Sequence, residues 1–269
     1  MNILFVTSST NSMYHLSGKL LLDSFIKYQQ CGDLLYITEN FKLVEEIENR
    51  SNLLQYDISN YPFLINWLQK YQNYIPIELG GRYNYKLDKM SSKRFLSPIK
   101  TQDWNYKASL WFRKIASLHY AISNYSQYDR IIWIDNDCEI KQNMNSVFIN
   151  QLFSNKDFFY FLGNRRNKMN LGIEAGFMGF NKPYGFKILD ILFDYYQTGK
   201  FLMETRWDDG WIFKIICQKL KHSNKYNGND LGLLVNNKDS NVMDMEPYNQ
   251  YIIHKKGSHW RNNIDYQPK

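Results

Sequence analysis

The sequence predicts an α/β fold in which helices flank a mainly parallel sheet. Three observations lead there. Short β-branched and aromatic runs alternate with stretches of helical apolar spacing from the first residues onward. The run Ile131, Ile132, Trp133, Ile134 is apolar at four successive positions, as a strand covered on both faces requires. Directly behind it stand Asp135 and Asp137. Successive strand side chains alternate sides, so these two carboxylates point the same way. Like charges held together repel unless a cation lies between them.

Taken in order, "NILFVTSS" is an apolar strand opening into small residues. "YHLSGKLLLDSFIKYQ" follows as a helix with Leu16, Leu20, Phe25 and Tyr28 on its apolar face. "DLLYITE" is a second strand, "FKLVEEIENR" a second helix, and "YPFLINWLQKY" a third with Pro62 in its first turn. Residues 79–103 are polar, basic and broken by Gly80 and Gly81, which reads as a mobile loop over a site. The next helix carries a stripe of Trp104, Ala108, Trp111, Ile115, Leu118 and Ile122, with Lys107 and Lys114 inside it. Run antiparallel to strand 131–135, it brings Lys114 and Arg113 roughly level with Asp135, either to hold phosphate or sugar or, equally, to pack their stems and reach water. Beyond the aspartates come a helix near "NSVFINQLF", strands "DFFYFLG" and "IEAGFMGF", and helices through "YGFKILDILFDYYQ" and "WDDGWIFKIICQKL". Residues 222–247 read as loop, and "YIIHKKGSHWRN" closes the chain.

A chain of 269 residues with 44% hydrophobic and 17% aromatic content builds a real core, which excludes global disorder. No run approaches the roughly 20 apolar residues of a membrane span. "MNILFVTSST" lacks the basic region and apolar length of a signal peptide, and three scattered cysteines fit reduced thiols. A soluble cytoplasmic protein is expected, with peripheral contact at the inner face of a membrane allowed. The net charge of +7 fits an anionic partner or an ordinary basic protein.

Three chemistries place two aspartates behind a strand. An EF-hand loop beginning at Asp135 needs Gly sixth and Glu twelfth, where Ile140 and Ser146 stand. An aspartate-nucleophile phosphatase usually carries the pair after its first strand and with a different following residue than Glu139. The third is a divalent-cation site gripping a diphosphate at the carboxyl end of the sheet.

The chain resembles the GT-A glycosyltransferases, enzymes with one Rossmann-like sheet and an Asp-x-Asp motif. The resemblance lies in element order and four segments: "ILFVTSSTNSMYHLSGKLLLDSF", "IIWIDNDCEI", "LGIEAGFMGFN" and "HKKGSHW". The last is similar to the His-x-x-Gly segment of the retaining branch that contains glycogenin and bacterial lipopolysaccharide galactosyltransferases. It departs from that branch in having His259 and Trp260 where Lys-Pro-Trp is usual, and Glu174 where Asn is common. The resemblance implies one domain over 1–269, with a nucleotide-binding half (1–140) and an acceptor half ending in a metal-binding segment (141–269). It implies that Val6, Thr7, Ser8 and Tyr14 cradle the nucleoside, and that Asp135, Asp137 and His254 hold Mn²⁺ or Mg²⁺. Gly257, Lys255, Lys256, Arg113 and Lys114 are then candidates for the donor phosphates or sugar, with Arg261 a further substitute. Asp208, Asp209 and Glu174 are the candidate catalytic carboxylates. For Asp208 and Asp209, helix capping is an equal alternative.

The function expected is metal-dependent hexosyl transfer from a nucleotide sugar, a UDP-sugar being favoured, to a glycan, lipid-linked or protein acceptor. Retention is expected ahead of inversion with Asp209 as base. A nucleic-acid-binding protein would gather its Lys and Arg on one aromatic-rich face; here they are dispersed, so no nucleic-acid partner is expected.

Overall fold

The computed structural model describes residues 2–29, 31–43, 50–71, 108–235 and 242–255, together with the backbone of 82–87 and 94–99. Its centre is a seven-stranded sheet. The strands are β1 (Ile3–Thr10), β2 (Asp33–Glu39), β3 (Leu53–Asp57), β6 (Arg130–Ile134), β8 (Phe158–Phe161), β9 (Glu174–Asn181) and β10 (Gly228–Asp230), in the order β10-β8-β9-β6-β1-β2-β3. Every neighbouring pair is parallel except those made by β9, which runs antiparallel to both β6 and β8. The fold is thus α/β with a mainly parallel sheet, as the apolar runs predict.

Alternation along the central strands explains why they are apolar throughout. Leu4, Val6, Ile131 and Trp133 feed a core on one face of the sheet. Ile3, Phe5, Ile132 and Ile134 feed a second core on the other. Helices α2 (Pro62–Tyr71), α3 (Ala108–Asn124), α6 (Tyr184–Gln197) and α7 (Asp209–His222) cover the first face. Helices α1 (Lys19–Tyr28) and α4 (Ser146–Phe153) cover the second. A stack of Trp67 on Phe112, with ring centroids 4.3 Å apart, locks α2 to α3.

Several expectations need correction. The first helix is interrupted by a π-helical turn at Tyr14–Gly18, which leaves Leu16 59% exposed; Phe25 is in the core as expected, and Leu21 and Leu22 join it. Strands β3 and β10 were not expected. Each sits at a sheet edge, where one partner strand suffices and an apolar run is not needed. Residues 82–87 and 94–99, within the expected loop, pair as antiparallel strands β4 (Arg82–Leu87) and β5 (Arg94–Ile99). The rest of that loop, Trp104, Lys107 and most of the helix expected over 41–50 lie outside the described residues.

A short ribbon positions the end of the chain. Strand β7 (Cys138–Ile140) pairs antiparallel with β11 (Ile252–His254), and His254 stands opposite Cys138. No helix among the described residues is long and apolar enough to cross a membrane.

Candidate active site

Four elements meet at the carboxyl end of β6. The backbone N–H of Asp135 donates to the carbonyl of Gly176 at 2.8 Å, because antiparallel β9 begins where β6 ends. The ribbon brings His254 alongside, tied down by two backbone bonds. His254 N–H donates to Asp244 Oδ1 (3.1 Å), and Lys255 N–H to the carbonyl of Asp137 (2.9 Å). Helix α3 supplies Lys114, and the start of α7 supplies Asp208 and Asp209.

The imidazole of His254 is the hub. Its Nε2 lies 3.0 Å from Asp137 Oδ1 and 3.7 Å from Asp135 Oδ2. On the other side of the ring, Nδ1 lies 3.6 Å from Glu174 Oε1, longer than a hydrogen bond, and has no hydrogen-bond partner among the described residues. Burial alone would lower the pKa of His254. The carboxylates of Asp137, Glu174 and Asp135 outweigh burial and raise it to about 9. Three acidic groups thus surround a position that calls for positive charge, which the ring supplies as a proton when no other cation does.

Lys114 is the second cation. It is 6% exposed. Its ammonium bridges Asp135 Oδ1 at 2.9 Å and Asp209 Oδ2 at 2.7 Å, donates to the carbonyl of Ala175 at 2.5 Å, and lies 4.9 Å from the centroid of the Trp133 ring. Burial opposes its charge, but the two aspartates overcome that and raise its pKa. Asp135 is the mirror case. Burial pushes its carboxyl upward, yet Lys114, His254 and the N–H of Trp133 hold it below the ordinary carboxylate value. With Oδ1 occupied by Lys114 and by Trp133 Nε1 (2.5 Å), Asp135 turns its other oxygen to His254.

These donors fit a divalent ion. Asp135, Asp137 and His254 offer two carboxylates and an imidazole, a set suited to Mn²⁺ and, less well, to Mg²⁺. Among the described residues, a group of three ligand-type atoms that differs from the expected one also comes together: those of Asp137, Cys138 and His254 lie within 4.8 Å of one another. Cys138 is buried, and its thiol donates to the carbonyl of Gly176 (3.7 Å). Glu174 stands behind the ring as a charged neighbour of Nδ1 rather than a hydrogen-bond partner.

The other expected residues fall as follows. Arg113 does not reach Asp135. Its guanidinium forks onto Glu39 at the end of β2, with contacts of 2.7 and 2.8 Å. Lys255 turns to Glu139 (2.7 Å), which Lys141 also holds (2.7 Å). Asp208 is the N-cap of α7: it accepts from the N–H of Trp211 at 3.0 Å and pairs with Arg206 at 2.9 Å, so the capping alternative describes it. Burial raises its pKa, with Asp209 adding to the shift and Arg206 opposing. Asp209 is in the first turn, yet it joins Lys114 as well. Val6 and Thr7 are fully buried in β1, and Thr7 Oγ1 has no hydrogen-bond partner among the described residues, whereas Ser8 is half-buried. Tyr14 is buried edge-on against Tyr36 and beside Phe41, so its ring packs the second core and is not open for stacking. Lys256, Gly257, His259, Trp260 and Arg261 lie outside the described residues.

Two contributors were missed from sequence. Trp133 reads as core, but its indole N–H reaches forward to Asp135. Gly176 reads as one small residue of a strand, but it makes room for the His254 ring.

No protein-family model matches the chain, and no curated protein does. Among solved structures, it is similar to the crystal structure of mouse xyloside xylosyltransferase 1 in its apo form. The TM-score is 0.47 at 13% identity, over 86% of this chain and 85% of that one. A likeness at that level bears on neither substrate nor chemistry.

Proposed function

We propose that the protein is a metal-dependent, retaining glycosyltransferase of the GT-A type. It would move a hexosyl group from a nucleotide sugar, a UDP-sugar being favoured, to a glycan, lipid-linked or protein acceptor. In this reading residues 1–140 bind the nucleotide, and 141–269 supply the acceptor side and the last metal ligand. The observation that carries it is the meeting of His254, from the final described strand, with both carboxylates of the Asp-x-Asp segment at the carboxyl end of the sheet. Open α/β sheets bind their ligands there.

The residues then divide the work. Asp135, Asp137 and His254 would hold the ion, whose positive charge stabilises the negative charge that builds on a departing diphosphate. Glu174 adds negative charge behind the His254 ring, 3.6 Å from Nδ1. Lys114 fixes Asp135 and Asp209 relative to each other and keeps them from repelling. Retention is supported by Asp209, whose Oδ2 pairs with Lys114 while Oδ1 accepts from the N–H of Gly210 at 2.8 Å. A carboxylate bound in that way is a poor general base. The acceptor proton would pass to the departing phosphate oxygen.

Hydrolysis of a panel of nucleotide sugars, assayed with Mn²⁺ and again with excess chelator, tests this. Turnover that needs the ion and vanishes in Asp137→Asn is expected. Turnover undiminished by chelator and by the substitution would reject the metal site, and no turnover of any donor would reject the enzyme.

A further inference from the structure

A second concentration of charge adjoins Asp208, and the reaction proposed above does not use it. Arg166 lies in α5 (Gly163–Lys168); its Nε donates to the carbonyl of Gly172 at 2.9 Å, and its Nη1 is 3.8 Å from Glu174. Arg206 pairs with Asp208, and its guanidinium lies 5.4 Å from the centroid of the Trp211 ring. Lys214, one turn along α7, has its ammonium 5.2 Å from that same centroid and donates to the carbonyl of Leu171 at 3.0 Å. Lys214 is 3% exposed and has no carboxylate partner among the described residues. Burial first, then Arg206 and Arg166, lowers its pKa, which marks like charges held close. Among the described residues, three cations therefore stand near two carboxylates, and one of those, Glu174, also neighbours His254.

A different kind of observation falls in the same place. Trp211 is 7% exposed, and its indole N–H has no acceptor among the described residues. Buried donors in native proteins are seldom left so. The backbone is built to bring these groups together. A Cβ on Gly172 would lie 2.6 Å from the carbonyl carbon of Gly210, and one on Gly210 would lie 2.2 Å from the carbonyl oxygen of Ile173. Only glycines permit that approach, which sets the 171–173 segment and Arg166 against the first turn of α7.

We propose that Arg166, Arg206, Lys214 and the Trp211 N–H form a subsite for a phosphoryl group carried by the acceptor, a reading that rests on the glycosyltransferase function proposed above. Guanidinium forks and an ammonium match tetrahedral phosphoryl oxygens, and the indole N–H supplies one further donor. The cations favour an anion, and the several oxygens of a phosphoryl group offer these donors more acceptors than a single carboxylate does. Asp208 adjoins Asp209, and Glu174 stands between Arg166 and His254, so an anion held here lies beside both Asp209 and the His254 group. The acceptor class is then a phosphorylated glycan or a lipid-linked sugar phosphate.

The test uses the intact chain and two probes, inorganic phosphate and UDP with Mn²⁺, read by thermal shift. A ligand that binds only the folded state raises Tm by an amount that grows with the logarithm of its concentration once that exceeds Kd. Phosphate is expected to raise Tm with the concentration dependence of a single site, and to do so further when the UDP–Mn²⁺ site is already filled. Lys214→Met and Arg206→Gln, each shown to be folded by circular dichroism, are expected to need at least about tenfold more phosphate while keeping the UDP–Mn²⁺ shift. The proposal is overturned if phosphate gives no shift or gives equal titrations in parent and variants. It is also overturned if phosphate is displaced by UDP–Mn²⁺, which would assign the cations to the donor diphosphate. A phosphate response without any UDP–Mn²⁺ response would reject the donor reading and the acceptor assignment with it, leaving an anion site of another purpose.

Discussion

Gly176 leaves the space that the His254 ring fills. A Cβ at position 176 would lie 2.5 Å from His254 Cε1 and 2.6 Å from Nδ1, closer than real contacts allow. Gly176→Ala is therefore expected to push the imidazole off its position. Mn²⁺ binding should weaken by about ten- to hundredfold, as when a ligand loses its orientation, and overpacking should destabilise the fold by about 1–3 kcal/mol. Calorimetric Mn²⁺ titration of Gly176→Ala, His254→Ala and the double variant checks this. If the ring is the common target, the double variant binds no worse than His254→Ala alone. Parent-like binding in Gly176→Ala would disconnect the glycine from the site.

Lys114 is expected to matter for stability as well as for turnover. Lys114→Met leaves Asp135 and Asp209 without the cation that bridges them, and breaking a buried pair costs about 3–5 kcal/mol. Adding Asp209→Asn should recover part of that loss, a coupling that urea denaturation of the single and double variants measures. Arg113→Ala removes a partly exposed pair with Glu39 and should cost no more than about 1 kcal/mol, fading in high salt. Additive losses in the double variant would show that Lys114 and Asp209 do not act as one unit.

The sheet was legible because its central strands are apolar on both faces, and the run 131–134 announces itself whatever surrounds it. The edge strands were not, since "GND" at β10 carries no pattern and owes its pairing to β8. The alignment of Lys114 with Asp135 followed from helix and strand rise alone. The capture of Arg113 by Glu39 depends on how β2 lies beside β1, which local spacing does not contain. Tyr14 illustrates the same limit: an aromatic near a nucleotide-type loop looks available, while the π turn at Tyr14–Gly18 turns it into the core.

His119 predicts a pH dependence of stability. Its Nδ1 is 2.7 Å from the Tyr61 hydroxyl, and its ring stacks on Phe193 with centroids 3.7 Å apart. Burial lowers its pKa, with Asp190 opposing. The folded protein therefore keeps the ring neutral, while the unfolded chain takes up a proton near the ordinary value of roughly 6.5. The stabilisation is complete above that value and is lost as pH falls through the lower folded value. Tm measured from pH 7.5 to 5 should fall more steeply in the parent than in His119→Gln. Parallel profiles would remove His119 from the acid sensitivity.

The proposed stereochemistry rests on what Asp209 is bound to. A general base needs a lone pair facing the acceptor hydroxyl and no cation neutralising it. Asp209 has an ammonium 2.7 Å from one oxygen and a backbone N–H 2.8 Å from the other. The expected product from an α-linked donor is therefore α-linked, with Asp209→Asn lowering kcat only through the loosened Lys114 bridge. Loss of a true base costs about 10²–10⁴-fold in rate, so a drop well short of a hundredfold fits the bridging role. Proton NMR of the new anomeric linkage, read together with that kcat, decides between the two. A β-linkage with a collapse of kcat beyond a hundredfold would mean that Asp209 exchanges Lys114 for the acceptor hydroxyl during turnover and acts as the base of an inverting enzyme.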